Sequence, residues 1–479
     1  MKRRDFIKKT TAGVAGVSSL YMCDMLKQQD AMAYPTSGGM GIEEGVSIIE
    51  RGKERNTRPE IRPEILKNPR AVFLIETYVD AKKDANGTFN AAVPQIRAEG
   101  KRIAEYLFVK GSTPKGSTFI KGNFTYKPEH TWYRTSGVYT QPDFIVGVVD
   151  HLRDIGNTNI ITGETATPAI NRRLGKLYES FDPANIPIIE PGYREYGDYV
   201  KAEINWKNVD KSLFWKKIPY FRPIGDDDNF LINIGTLKCH LTGLTTLSIK
   251  NLQGCVLKGY GQFCTSWDSF EGEAKRTGVN MRHFQKDWQE AIEASFLKHR
   301  AAGFKRWDFD ETYKRYEEKG GWEAYKKARK DSPEALRDFR RGVSGVMRHE
   351  LWMHRGLDNA AVVKPQINII EGIIGLDGEE LNRDGIGDDQ LVNIVIAGCS
   401  PFEVDAVGSY VMGHDPRELW YTRVAKELGY GECDVNNIDV YMIRRNGEIE
   451  PVRNISEIKR HPLGLNLARK KDPSERLFW

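Results

Sequence analysis

The chain lacks a strong excess of either charge. Its 71 Lys and Arg against 66 Asp and Glu leave a formal charge of only +5. Six of those cations (Lys2, Arg3, Arg4, Lys8, Lys9, Lys27) and three anions (Asp5, Asp24, Asp30) fall within the first 33 residues. That stretch carries +3, so the remainder sits near +2 and offers no basic field for nucleic acid. Long apolar runs are missing as well. After the N-terminus no segment approaches the roughly 18 apolar residues of a membrane helix, so no span is expected. Cysteine is scarce, and no pair is spaced C-x-x-C, which excludes iron–sulfur and zinc-ribbon patterns. His349 and His354 are five apart, not the four of H-E-x-x-H, and read as core or surface residues. Gly372, Gly375 and Gly378 recur every third residue and do not make the G-x-G-x-x-G dinucleotide fingerprint. An EF-hand register on Glu380, Asn382, Asp384 and Gly385 puts Leu391 where a bidentate Glu is needed, so only a looser cation site stays open.

What is present begins with an address. Arg3-Arg4, a weak apolar region over 11–22 and Ala31-Met32-Ala33 together read as a twin-arginine export signal over residues 1–33. The expectation is a periplasmic or extracellular protein, with the twin-arginine translocation machinery as a partner. Five cysteines would remain after cleavage: Cys239, Cys255, Cys264, Cys399 and Cys433. An odd number in an oxidising compartment leaves at least one thiol free. Cys239, Cys255 and Cys264 are near enough in sequence for a pair to bridge; a disulfide or buried thiols is expected rather than a metal site.

Residues 34–70, rich in Gly, Pro and charge, are expected to form an extended arm. From there the pattern alternates. Strands are expected over 71–79, 117–124 and 159–162, and helices over 93–109, from Pro142, and over 169–178. The run Phe230-Leu231-Ile232-Asn233-Ile234 reads as a buried strand closed by Gly235. Residues 265–360 are charged and aromatic with proline only at Pro333, the mark of a helical insertion that caps the core or mediates assembly. The rhythm returns with strands over 363–371 and 392–397 and a helix containing Asp405. The fold class predicted is α/β: a doubly wound, mostly parallel sheet with a helical insertion. Its core is split over 71–264 and 361–445, with a C-terminal tail over 446–479.

In such sheets ligands bind at the carboxyl ends of the strands. Lys121, Asn123, Glu164, Lys238, His240, Thr245, Lys250, Asn251, Glu371 and Asp405 all fall near predicted strand ends or helix starts. Lys121, Lys238 and Lys250 would form a cationic pocket for a carboxylate or phosphate. His240 would transfer protons near neutral pH, and a desolvated Lys250 would be a nucleophile. Glu164, Glu371 and Asp405 would be acid/base groups or salt-bridge partners. A polar surface loop, a cap or a structural ion pair is the alternative for each taken singly.

Several motifs together resemble one prokaryotic family. Lys121-Gly122-Asn123 with Thr140-Gln141-Pro142, Gly163-Glu164, Leu237-Lys238-Cys239-His240 through Lys250-Asn251-Leu252-Gln253-Gly254, and Ile370-Glu371-Gly372 with Pro401 to Asp405 are similar to the ordered motifs of domain of unknown function 362. Gly122, Glu371 and Phe402-Glu403 depart from its usual residues, and the ferredoxin-like module of many relatives is absent. The resemblance implies a fold and candidate positions but no reaction. His240 and Lys250 are also similar to the H-x3-G-x5-K element of the nickel-pincer lactate racemases. There the lysine carries the covalent cofactor and the histidine is an acid/base. Gly243 falls one residue early, and Ser266 stands where a further histidine would be expected. This resemblance implies a distant common fold and not nickel. Three classes stay open: an exported enzyme acting on a small anionic substrate, with a metal or covalently bound cofactor left open; a non-catalytic ligand-binding protein; and an assembly protein that oligomerises through its helical insertion.

Overall fold

The computed structural model describes residues 40–54, 56–84, 89, 92–124, 136–165, 180–191, 199–211, 213, 215–240, 244–257, 318–340, 344–378 and 387–464. The expected export signal, Cys264, the helix over 169–178, most of the insertion and residues 379–386 lie outside them. The strands are β1 (Thr57–Ile61), β2 (Val72–Glu76), β3 (Phe108–Pro114), β4 (Ser117–Gly122), β5 (Ile160–Gly163), β6 (Ile188–Ile189) and β7 (Ile204–Asn208). They continue as β8 (Lys217–Phe221), β9 (Asn229–His240), β10 (Leu244–Thr246), β11 (Ile367–Asp377), β12 (Asp388–Gly398), β13 (Val440–Ile443) and β14 (Ile449–Pro451). The helices are α1 (Ile42–Lys53), α2 (Pro63–Leu66), α3 (Val93–Leu107), α4 (Pro142–Asp154) and α5 (Ser248–Asn251). After them come α6 (Gly321–Asp331), α7 (Pro333–Arg340), α8 (Ser344–Val363), α9 (Pro401–Val411) and α10 (Trp420–Glu427).

One ten-stranded sheet organises these elements, in the order β14-β13-β2-β12-β11-β9-β4-β5-β6, with β10 folded back onto β9. All run the same way except β10, β12 and β14, whose pairings are antiparallel. The protein is therefore α/β with a mostly parallel, doubly wound sheet, as predicted. Burial on both faces explains why β4, β9 and β11 read as near-continuous apolar runs rather than alternating ones. On one face lie α3 and α4. Proline in its first turn and His151 and Arg153 in its last suit α4 to its ends. Its stripe of Phe144, Ile145, Val148, Val149 and Leu152 is fully buried against Ile120, Ile232 and Ile369. The opposite face carries α5, α8 and α9, where Ile249, Leu252 and Leu357 pack with Phe119 and Leu231, and Val404 and Val407 with Leu237 and Ile370.

Three sequence expectations need correction. Gly235 does not end its strand: β9 runs on to His240. A Cβ there would come within 3.1 Å of the Leu247 carbonyl oxygen. The glycine marks close backbone approach after the β9–β10 hairpin, not a stop. Likewise Glu371 lies inside β11, which continues to Asp377 through an irregularity between Gly372 and Ile374. The arm expected over 34–70 contains a helix, α1, whose Ile42 and Ile49 are buried against the sheet edge, and a strand, β1, paired with β3. A Gly- and Pro-rich average concealed that helical spacing. The described part of the insertion is helical, and its last helix joins the core. Asp358 of α8 accepts the amides of Leu213 and Trp215, both at 2.7 Å. The expected tail, from 446, supplies β14, which pairs with β13 of the core.

Candidate functional site

The register lays Lys121 of β4, Asn233 of β9 and Asn368 of β11 side by side across three parallel strands. All three point to the α9 face, where α5 lies over them. Lys121 Nζ donates to Glu164 Oε1 at 3.2 Å, Asn251 Oδ1 at 3.0 Å and the Gly122 carbonyl at 2.5 Å. Three protons meet three acceptors, so this ammonium, fully buried, is saturated within the protein. Glu164 Oε2 in turn accepts the Phe124 amide at 2.7 Å. Asn251 Nδ2 donates to Asn233 Oδ1 at 2.8 Å, and Asn233 Nδ2 donates to Asn368 Oδ1 at 2.8 Å. Gly254 closes the cluster, since a Cβ there would overlap both Lys121 and Glu164. Burial pushes the adjacent Cys255 thiol up to about 12, with Glu164 adding to the rise and Lys121 opposing it, which leaves it unreactive. Cys239, Cys399 and Cys433 are also unbridged.

The same face holds a second polar group. Asp405, early in α9, accepts the amides of Ser248 at 2.7 Å and Ile249 at 3.1 Å and so pins the start of α5. Burial raises its carboxyl to about 8 against the pull of those amides. Thr245 and Tyr421 share a hydrogen bond of 2.7 Å, and each lies 3.3 Å from Ser409 Oγ. Burial, helped by Asp405, holds the Tyr421 phenol neutral. Lys250, half-buried, joins Thr245, Asp405 and Tyr421 around a cavity of about 10 Å³, room for about one water.

Strand alternation sends Thr236, Lys238 and His240 to the other face, under α4. There the turn over residues 136–141 is tied to three neighbouring strands. Lys238 of β9 donates to the Val138 carbonyl at 2.6 Å. Asp389 of β12 accepts from the Gly137 amide at 2.9 Å and Ser136 Oγ at 3.2 Å. Glu371 of β11 takes the Gln141 amide at 3.4 Å and the Ile373 amide at 2.9 Å. Burial raises the Glu371 carboxyl to about 7 despite those amides. Asn123 donates to Thr140 Oγ1 at 2.8 Å and Thr236 Oγ1 at 3.2 Å, joining this side.

The ten positions expected in one groove are thus divided by the sheet. Lys121, Glu164, Thr245, Lys250, Asn251 and Asp405 lie on the α9 face; Asn123, Lys238, His240 and Glu371 lie on the α4 face. His240 and Lys250 do not meet. Asn233, Asn368, Thr236, Gln141 and Tyr421 were not among the expected site residues, although Gln141 stands in a quoted motif and Asn233 in a quoted strand. The two asparagines did leave a signal, since each is a lone amide inside an otherwise apolar strand. Among the described residues no three His, Cys, Asp or Glu side chains gather to hold a metal, and no helix is long and apolar enough to cross a membrane.

Residues 118–410, more than half of the chain, match the family described as "Domain of unknown function (DUF362)". The chain belongs to that family. The match begins in β4 and ends in α9, so it spans the polar seam and the turn over 136–141. No curated protein and no solved structure matches the chain.

Two outcomes follow from these contacts. Lys121→Met strands the mostly buried Glu164 and is expected to cost about 3–5 kcal/mol in urea denaturation. Adding Glu164→Gln should recover part of that loss. Asp405 has a folded pKa raised above its unfolded value, so its contribution to stability is full below about pH 4 and is lost as pH rises through about 8. Asp405→Asn is expected to flatten the decline of unfolding free energy between those limits.

Proposed function

We propose that this protein is an enzyme that moves a proton on a small anionic substrate on the α4 face of the sheet, just past the end of β4 and against the middle of β9 and β11. Glu371 is the proton-transfer group, and Lys238 and His240 provide the cationic and hydrogen-bonding surroundings for the anion. One observation carries the reading. A carboxyl group is fully buried in mid-sheet, its hydrogen-bond donors are backbone amides, and it is raised to about 7. An apolar side chain would serve folding better there, and acid/base chemistry at neutral pH calls for such a group. The N-terminus of α4 beside it would stabilise the carboxylate left after proton donation. Non-catalytic ligand binding is the second reading. The saturation of Lys121 favours it, because that lysine works as a rivet rather than a reactive amine.

Export by the twin-arginine pathway is part of the proposal and rests on Arg3-Arg4 and Ala31-Met32-Ala33. Arg3→Lys with Arg4→Lys is expected to leave the chain in the cytoplasm on cell fractionation; unchanged export sinks that part.

For the chemistry, a thermal-shift screen over small carboxylates and phosphates is expected to find at least one stabilising ligand. In deuterated water the protein should then put solvent deuterium into it. Glu371→Gln should keep binding and lose exchange by about 100-fold or more. Binding without exchange would make this a ligand-binding protein, and no ligand at all would overturn both readings.

A further inference from the structure

Gln141 is fully buried, and its side-chain amide is oriented by two hydrogen bonds. Nε2 donates to the Ser136 carbonyl at 2.6 Å and to the Tyr139 carbonyl at 3.3 Å. A flipped amide would set oxygen against both carbonyls, so the assignment is forced by the contacts. The cost is that Oε1 is buried with no hydrogen-bond partner among the described residues, a state that folding disfavours. Gln141 is also the residue whose backbone amide approaches Glu371.

The two oxygens of Glu371 are not equivalent. Oε1 takes the Ile373 amide at 2.9 Å, whereas the Gln141 amide stands 3.4 Å from Oε2, and the Ile374 amide is a third donor to the group. The longer bond leaves Oε2 the less strongly held of the two oxygens. The titratable groups on this face are Lys238 and His240 toward the end of β9, Asp389 on β12 and Asp143 in α4. Lys238 on β9 donates to Val138, Asp389 on β12 accepts from Gly137 and Ser136, and Asp143 in the first turn of α4 accepts from Ser180 at 3.4 Å. The residue of β12 opposite Glu371 is Val395.

We propose that Glu371 rests as a carboxylic acid whose Oε2–H is donated to the side-chain carbonyl of Gln141. Gln141 is then the positioning residue for that proton. Each anomaly accounts for the other: the orphaned acceptor receives a donor, and the buried carboxyl is spared a charge. On transfer the O–H bond breaks, its electron pair stays on Oε2, and a basic atom of the substrate gains the proton. The amides of Gln141, Ile373 and Ile374 then hold the carboxylate. The inference rests on Glu371 as the proton-transfer group of the proposed reaction, and it makes Glu371 the acid in the first step.

The test needs no substrate, so its failure is separate from that of the exchange experiment. Infrared difference spectra of wild type minus Glu371→Gln should show a protonated-carboxyl C=O band at pH 6, where an ordinary glutamate is ionised. In Gln141→Met the band should move to higher wavenumber and its titration midpoint should fall. Each unit of fall cuts the neutral fraction about tenfold at pH values above the midpoint. No band at pH 6, or a band indifferent to Gln141→Met, would overturn the proposal. Should Gln141→Met not fold, thermal midpoints decide. The amide of Glu371→Gln would donate to the same carbonyl and is expected to match or exceed wild type, while Glu371→Met should fall below it. A loss in Glu371→Gln equal to that in Glu371→Met would also overturn it.

Discussion

Everything near the strand ends depends on one buried cation and the amides that surround it. An ammonium without water is costly in the interior, and that cost falls only if every proton finds an acceptor. Lys121 finds three, on β4 itself, on α5 and just past β5. Satisfying it therefore fixes where α5 sits and where the chain leaves β5. Asn251 then extends the seam to Asn233, and Asn233 extends it to Asn368. Side chains from three strands and a short helix become one network, and a network of this kind is stable only when complete. The absence of a Cβ at Gly254 is part of the same requirement.

The seam also divides the labour of the two faces. On the α9 face Lys121, Glu164, Asn251, Asn233 and Asn368 are paired with one another, and Asp405 is spent on the backbone amides of α5. The α4 face holds Glu371, whose partners are neutral amides and whose charge state is balanced near neutrality. Between them runs β9, which delivers Asn233 to one side and Thr236 and Lys238 to the other by alternation alone. The turn over 136–141 covers the second side and is anchored by charged or ionisable groups from β9, β11 and β12. Moving any of those three strands by one residue would turn its anchor to the opposite face.

Much of this was legible in the residues. Apolar runs of the right length announced β2, β4, β9, β11 and β12, and Pro142 with its stripe announced α4. The class of fold and the family follow from local pattern and ordered motifs, both of which are properties of contiguous segments. The candidate positions were read as strand ends and helix starts, which describes Lys121 and Glu164 but not Glu371, inside β11. What failed were boundaries. Gly235 and Gly372 read as strand ends because glycine usually interrupts regular structure, yet each is there to let another segment close in, Leu247 on one and Leu237 with the Ile394 carbonyl on the other. No local signal distinguishes those uses, because the reason for the glycine lies elsewhere in the chain.

The sequence by itself determined that the chain makes a mostly parallel α/β sheet and which motifs and ionisable residues it carries. Only the tertiary structure decided which of those residues meet. Lys121 is joined to Glu164 and Asn251 across gaps of 43 and 130 residues, and Glu371 to Gln141 across 230. Spacing along the chain put His240 and Lys250 ten residues apart; the fold put a sheet between them. The face a side chain takes follows from strand register, and register is set by partners that no local stretch contains.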